Sequence, residues 1–240
     1  GLANEIDKWE HKGAASDSAK EADPLKLFDD RFKNIPSHKR IKDSTPTVKS
    51  RSRIERGRLQ STNCLFYVPC PHCKHYQTLR MGAKDEPGGL TWDKNAAGKS
   101  DPDLARETAR YVCESCGKDI LDQHRATMMR SGVWCPEGCT VDDEKALEVV
   151  QRHRAWALGG AGASVDDYQW RGWRHAEWIV GEPARDGTDA GYQLSSLYAL
   201  SLGWGDIAAE FVRCKDKPQD LRNFINQWLA ETWEIVARQQ

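Results

Sequence analysis

An α+β fold is what this sequence predicts, on three observations. Two cysteine pairs, Cys70-Pro71-His72-Cys73 and Cys113-Glu114-Ser115-Cys116, have C-x2-C spacing. A β-type run leads into each pair, Cys64-Leu65-Phe66-Tyr67-Val68 into the first and Tyr111-Val112 into the second. Near the end of the chain the apolar residues recur at helical spacing. A strand running into each cysteine knuckle is the plan of a zinc ribbon, so the middle of the chain reads as a zinc-ribbon-like β region followed by a helical segment.

Taken in order, the chain opens with acids at Glu5, Asp7 and Glu10. Asp23-Pro24-Leu25-Lys26-Leu27-Phe28 follows, with a proline suited to a helix start. Leu25, Phe28 and Phe32 at helical spacing predict a short amphipathic helix there. Residues 38–58 are basic, and Pro46 among Ser and Thr predicts a turn. Residues 81–110 read as a long polar excursion between the knuckles, rich in Gly, Lys and Asp. Residues 135–190 read as irregular, with Gly159-Gly160-Ala161-Gly162 and an aromatic cluster at Trp170, Trp173 and Trp178. From Tyr192 the pattern becomes helical. Ile207, Phe211 and Cys214 share one face. Leu221, Phe224, Ile225, Trp228, Leu229 and Trp233 predict one long final helix starting near Pro218, with its stripe in the core.

Composition narrows the function classes. The chain has 240 residues and a formal net charge of -1, so no global field points to nucleic acid or membrane. The balance hides an asymmetry. Arg31 to Arg58 holds ten Lys/Arg against Asp43 and Glu55, a local charge of +8. No run of 18 apolar residues exists, which excludes a membrane-spanning helix. The N-terminus is polar by residue 4 and no signal peptide is visible. Eight Cys without a secretion signal fit a reducing cytosol and metal-bound thiolates. The lack of an initiator Met predicts a fragment of a longer chain.

Cys70, Cys73, Cys113 and Cys116 supply four thiolates, the set of a closed structural Zn²⁺ site. Such a site leaves no position for water, so the metal is expected to build the fold. His72 and His75 sit in the first knuckle and could each replace a Cys. Cys135 and Cys139 have C-x3-C spacing; they are either free thiols or a second half-site completed by His124 or His153. Cys64 and Cys214 read as buried small apolar residues. Gly98-Lys99-Ser100 is not a phosphate-binding loop, because Asp93 stands where the loop needs glycine. Arg51, Arg53, Arg56 and Arg58 are expected to follow DNA phosphates from one face of an extended segment, or else to form a solvated charged face.

Several segments together resemble one family, the large terminase subunit of lambda-like tailed phages. Asn4-Glu5-Ile6-Asp7-Lys8-Trp9 resembles the end of its Walker B strand. Glu21-Ala22-Asp23-Pro24 with Arg31 resembles the Gly-Asp-Pro and Arg segment after it. Ser44-Thr45-Pro46-Thr47 resembles its Ser-Thr-Pro coupling motif. Tyr67-Val68-Pro69-Cys70-Pro71-His72-Cys73 resembles its zinc knuckle. Gly191 to Tyr198 and Asn223 to Leu229 resemble the approach to its nuclease domain.

The resemblance implies three parts: residues 1–60 as the C-terminal remnant of a P-loop ATPase α/β domain, 61–190 as a zinc-ribbon-like region with polar insertions, and 191–240 as a helical connector toward an absent nuclease domain. It implies an enzyme that uses ATP and Mg²⁺ to move double-stranded DNA and cuts it with a metal-dependent nuclease. The implied partners are the small terminase subunit, the portal protein and further copies of the chain in a motor ring, in the bacterial host cytoplasm. Glu5 is then the catalytic carboxylate that orients water. Ser44 and Thr45 sense the γ-phosphate, and Asp7 is structural. The chain departs from the family pattern in carrying no P-loop, in stopping before the nuclease, and in having Asn4-Glu5 where two acids are usual. The isolated chain is therefore expected to be inactive. A stand-alone zinc-ribbon nucleic-acid-binding module and a structural adaptor are the competing readings. An upstream G-x4-GK[ST] motif would separate them from the terminase.

Overall fold

The structure, a computed structural model, describes residues 1–9, 23–157, 176–185 and 189–234. Glu10, Glu21, Ala22, the glycines at 159–162, Trp170 and Trp173 lie outside the described residues, as does the side chain of His153. Strand β1 (Leu2–Asn4) pairs in parallel with β2 (Ile41–Asp43), with Asn4 opposite Asp43 at their carboxyl ends. Helix α1 (Pro24–Asp30) lies between them in sequence. Pro24 occupies its first turn, and the Asp23 carboxylate caps it by accepting from the Leu25 N–H at 2.9 Å.

Arg51 to Arg58 is not extended. Helix α2 (Arg53–Leu59) starts there, because the Ser52 hydroxyl accepts from the Glu55 N–H at 3.1 Å. The Ser-x-x-Glu spacing of Ser52 and Glu55 is a helix-start signal that outweighs the alternation of arginines.

Strand β3 (Cys64–Pro69) organises the next region. It pairs antiparallel with β4 (Tyr76–Gln77) and β8 (Val133–Cys135), and parallel with β11 (Tyr192–Gln193). A second sheet orders β5 (Gly89–Thr91), β6 (Arg110–Val112) and β7 (Asp119–Ile120), all antiparallel. The segment 81–110 is thus more ordered than its polarity predicts. It holds β5 and helix α3 (Pro102–Thr108), capped by the Asp101 carboxylate, which accepts from Asp103 N–H and Leu104 N–H. Helix α4 (Arg125–Arg130) follows.

Residues 135–190 also gain structure. Helix α5 (Asp143–Ala157) is capped by Asp142, which accepts from the Lys145 N–H. Strand β9 (Thr140–Val141) pairs with β10 (Ile179–Val180). Ala146, Val149 and Val150 of α5 bury against Tyr76, Val133 and Trp178 in a small satellite core. Helix α6 (Trp204–Cys214) carries Ile207, Phe211 and Cys214 on its inner side. Helix α7 (Pro218–Gln227) is shorter than the apolar pattern predicts. The chain leaves it near Ala230, which has φ 55°, and Trp233 instead bridges to Val48.

The main core joins both sheets to the C-terminal helices. Val68, Leu90, Tyr111, Ile120, Met128, Leu197, Trp204, Ile207 and Phe224 are all buried in it. Tyr111 and Trp204 meet with ring centroids 5.5 Å apart, and the Arg125 guanidinium lies 5.4 Å from the Trp204 ring. Helices α3 and α6 approach closely at Gly205, where a Cβ would run into the Arg106 carbonyl oxygen. Backbone cannot yield as a side-chain tip can. Gly205→Ala should therefore lower the unfolding free energy by about 1–3 kcal/mol, read from urea denaturation; an unchanged midpoint would show that the two helices separate freely.

Candidate active site and metal centre

Two groups of side chains have chemistry to offer. The first sits at the carboxyl ends of the parallel strands β1 and β2, the end of a parallel sheet at which α/β proteins bind ligands. Glu5 follows β1 and Ser44 follows β2, so strand register alone brings them together across 39 residues of sequence. The Ser44 hydroxyl lies 3.5 Å from Glu5 Oε2 and 3.2 Å from the Thr45 carbonyl oxygen. Glu5 has φ 54°, an uncommon conformation for a non-glycine residue. Its carboxylate is half-exposed and pairs with Lys8 Nζ at 3.3 Å. Ser44 and Thr45 are both half-buried, and Pro46 behind them is buried.

Asp7 accounts for the turn between these elements. Its Oδ1 accepts from the Arg53 and Ile54 N–H groups at 2.7 and 2.8 Å, at the start of α2. Its Oδ2 accepts from the Thr47 hydroxyl at 3.0 Å, and its own N–H donates to Ser44 Oγ at 3.1 Å. Sequence reasoning placed Thr47 at the end of the Ser44-Thr45-Pro46-Thr47 motif but missed its bonding: its carbonyl oxygen accepts from the buried Asn226 side chain at 2.8 Å and from the Trp233 N–H at 2.9 Å. A cleft of about 140 Å³ opens beside this site, lined by Ser44, Ile54, Arg58, Tyr192, Gln193 and Thr232.

The four arginines part company. Arg51 and Arg56 are exposed. Arg53 is 7% exposed, with its guanidinium on the Asp23 carboxylate, which turns it inward. Arg58 is half-buried and donates to Asn63 Oδ1; burial lowers its pKa against the opposing pull of Glu55, Glu137 and Glu231.

The second group is the cysteine cluster. The sulfurs of Cys70, Cys73, Cys113 and Cys116 all lie within 4.8 Å of one another. Cys70 to Cys116 is 3.9 Å and Cys73 to Cys113 is 3.7 Å. A tetrahedral ion with sulfur bonds of about 2.3 Å needs sulfurs about 3.8 Å apart, so the donor set fits one. Among the described residues this is the one group of three or more His, Cys, Asp or Glu side chains that can share an ion.

The two knuckles are built alike. Cys70 N–H donates to the His75 carbonyl and Lys74 N–H to the Cys70 carbonyl; Cys113, Lys118 and Gly117 repeat both bonds. Each knuckle is the turn of a hairpin, β3–β4 and β6–β7. The Glu114 N–H donates to buried Gln77 Oε1 and ties one hairpin to the other. Burial pushes the Cys70 thiol up and the Cys113 thiol up to about 12, whereas the Lys118 backbone N–H pulls Cys116 down to about 7.

The histidines face elsewhere. His72 Nε2 bonds the Asp119 carbonyl, and His75 lies between Asp143 at 2.9 Å and Glu114 at 3.4 Å. Cys64, Cys135, Cys139 and Cys214 are buried free thiols. Gly98-Lys99-Ser100 is an exposed turn organised by Asn95, whose side chain accepts from the Ala97 and Lys99 N–H groups. No helix among the described residues is long and apolar enough to cross a membrane.

Comparison with known proteins bears on both groups. The family model described as phage terminase large subunit gpA, ATPase domain, matches residues 2–134, which contain the Glu5–Ser44 site and all four clustered cysteines. The chain belongs to the phage terminase large subunit gpA family. The model for the endonuclease domain of the same subunit matches residues 189–240, the stretch that the sequence reading treats as a connector. The large terminase subunit of Enterobacteria phage P21 is 27% identical over 225 residues, and that of Escherichia phage lambda 26% over 221. Each match covers 91% of this chain and 28% of the relative, so the chain spans little more than a quarter of either. No solved structure matches it.

The repeated knuckle isolates one backbone cost. Lys74 and Gly117 both have φ 67°, and Gly117 has open space where a Cβ would go. Gly117→Ala should cost about 1–2 kcal/mol of stability through the left-handed backbone alone. Guanidinium titration measures it; a stabilising effect would contradict the knuckle geometry.

Proposed function

We propose that this chain is a working segment of a DNA-packaging terminase large subunit, spanning the end of its ATPase domain (1–60), a zinc-ribbon-like region (61–190) and a helical stretch that leads into its nuclease (191–240). The whole subunit hydrolyses ATP to move double-stranded phage DNA and cuts it. It works with a small terminase subunit and a portal, as a ring of copies in the bacterial cytoplasm. The observation that carries this reading is the pairing of Glu5 and Ser44 at the carboxyl ends of parallel strands, in a chain of the gpA family.

Glu5 is the carboxylate that orients the attacking water, and Ser44 and Thr45 register loss of the γ-phosphate. Phosphoryl transfer asks a protein mainly for positioning and charge, and a fixed carboxylate beside the phosphates supplies the first. ATP and Mg²⁺ bring the reacting group and its neutralising charge. The phosphates need a backbone cradle and a lysine, and Gly98-Lys99-Ser100 is no such cradle. Residues 1–240 alone should therefore show no ATP hydrolysis. In the full-length subunit, Glu5→Gln should cut turnover by about 100-fold or more while nucleotide still binds. Wild-type turnover in Glu5→Gln would sink the assignment.

A Zn²⁺ ion on Cys70, Cys73, Cys113 and Cys116 pins the two knuckle hairpins together. What supports it is the near-tetrahedral spacing of four sulfurs on two matching turns. Four thiolates close the coordination shell, so the ion supplies about 10 kcal/mol or more of folding free energy and no reaction step. Metal analysis of protein purified without chelators should find one zinc per chain. Cys113→Ser should lose the metal and the cooperative unfolding transition. A zinc-free but fully folded wild type would refute the site.

DNA phosphates are met by Arg51 and Arg56, which are exposed, with Arg58 at the edge of the cleft. Arg53 contributes to the fold through Asp23 instead. Charge reversal at Arg51 and Arg56 should lower duplex affinity and flatten its salt dependence by about one unit per lost contact. An unchanged slope would leave the basic run a solvated surface.

A further inference from the structure

We infer that Asp7 is the positioning residue of the ATPase site, holding Glu5 and the Ser44 hydroxyl in their working arrangement. This rests on the assignment of Glu5 and Ser44 above. Asp7 makes four hydrogen bonds to two segments, Ser44–Thr47 and the start of α2. Its N–H reaches Ser44 Oγ, one carboxylate oxygen takes the Arg53 and Ile54 N–H groups, and the other takes the Thr47 hydroxyl. Bonds to an ionised carboxylate are about twice as strong as neutral ones. The two amide bonds, at 2.7 and 2.8 Å, fix the short turn Ile6–Lys8 against α2. Glu5 leads directly into that turn with a left-handed φ of 54°. A residue keeps such a backbone only where its surroundings hold it there. Asp7 and the buried Ile6 beside it are those surroundings.

The bond to Ser44 adds a second consequence. A hydroxyl has one proton. The Asp7 N–H donates to an Oγ lone pair and holds the oxygen in place, and the single Ser44 proton goes either to Glu5 Oε2 at 3.5 Å or to the Thr45 carbonyl at 3.2 Å. One choice ties the coupling segment to the water-orienting carboxylate, and the other releases it. Asp7 sets the pivot for that choice through its own N–H. Thr47, tied to the same carboxylate, keeps the far end of Ser44-Thr45-Pro46-Thr47 in register.

The test uses the full-length subunit and compares kcat and KM for ATP in Asp7→Ala, Asp7→Asn, Glu5→Gln and the double variant Asp7→Ala/Glu5→Gln. Misplacing a catalytic group by about 1 Å costs on the order of 100-fold. Asp7→Ala should lose about that much in kcat with KM nearly unchanged. Asp7→Asn keeps an acceptor for the two amides and a polar partner for Thr47, so its kcat should lie at least about tenfold above that of Asp7→Ala. The double variant should be no slower than Glu5→Gln, because Asp7 acts through Glu5.

If Asp7→Asn is as slow as Asp7→Ala, the negative charge itself acts on the reaction and the positioning role is wrong. It is equally wrong if Asp7→Ala keeps its kcat, or loses ATP binding together with its thermal transition. If Glu5→Gln alone is fully active, the Glu5 assignment fails, whatever Asp7 does. Amide exchange in the 240-residue chain gives a readout independent of turnover. Asp7→Ala should speed exchange at Arg53 and Ile54 by about tenfold while amides of α6 keep their protection. Unchanged exchange at those two amides would overturn the inference.

Discussion

Scarcity of apolar side chains is the constraint on which the rest of this structure depends. Charged residues make up 30% of the chain and mean hydropathy is -0.74, so there is too little apolar surface for several independent cores. The molecule spends most of it in one place. Tyr111 from the second knuckle hairpin, Val68 from the strand entering the first, and Trp204, Ile207 and Phe224 from the C-terminal helices share a single cluster. Cys70 and Cys113 belong to that cluster too. The segment matched by the nuclease family model is therefore packed as an integral part of the cysteine-bearing region. Losing the knuckles would strip α6 and α7 of the surface that buries them, and the C-terminal helices would not survive alone. The buried Arg125, held by Asp122 and by the Leu197 and Leu202 carbonyls, closes the same core.

At the other end of the chain hydrogen bonding does what burial cannot. The strands β1 and β2 are only three residues each, and one face of their turn is open to solvent. Short parallel strands are weak on their own. Ala3 and Ile6 supply the buried anchors, and Asp7 supplies the polar one. The arrangement leaves Glu5 and Ser44 facing each other, with the Ser44 hydroxyl 3.5 Å from Glu5 Oε2.

How much of this was legible in the sequence depends on whether the signal was local. The knuckles were, because C-x2-C spacing needs no knowledge of the rest of the fold. So were α1, with proline at its start, and the apolar face of α6. Residues 102–108 read as part of a polar excursion, and 143–157 as irregular, because their buried faces are narrow: Ala105 in α3, and Ala146, Val149 and Val150 in α5. Their caps, Asp101 followed by Pro102 and Asp142 before Asp143, were the readable signal. The alternation of arginines at 51–58 was misleading, because Ser52 and Asp7 together start a helix there. Half of that cap comes from 46 residues away, which no local pattern reveals. The final helix stops early for a similar reason. Trp233 pairs its backbone with Thr47 and Lys49, a partner far off in sequence that no local pattern shows.

That last pairing joins the two ends of the molecule. The Trp233 N–H and the Asn226 side chain both donate to the Thr47 carbonyl, the Lys49 N–H donates back to the Trp233 carbonyl, and Thr232 donates to Glu55 at 2.6 Å. Asn226 is buried and spends its other N–H on the Glu231 carbonyl. Thr47 ends the segment that begins at Ser44 and is itself held by Asp7. A shift of Ser44-Thr45-Pro46-Thr47 must therefore either carry residues 226–233 with it or leave a buried amide and a carbonyl unpaired, and each such loss costs about 1–3 kcal/mol. These bonds tie the stretch matched by the nuclease family model to the stretch that follows β2, although 179 residues separate Thr47 from Asn226 in the sequence.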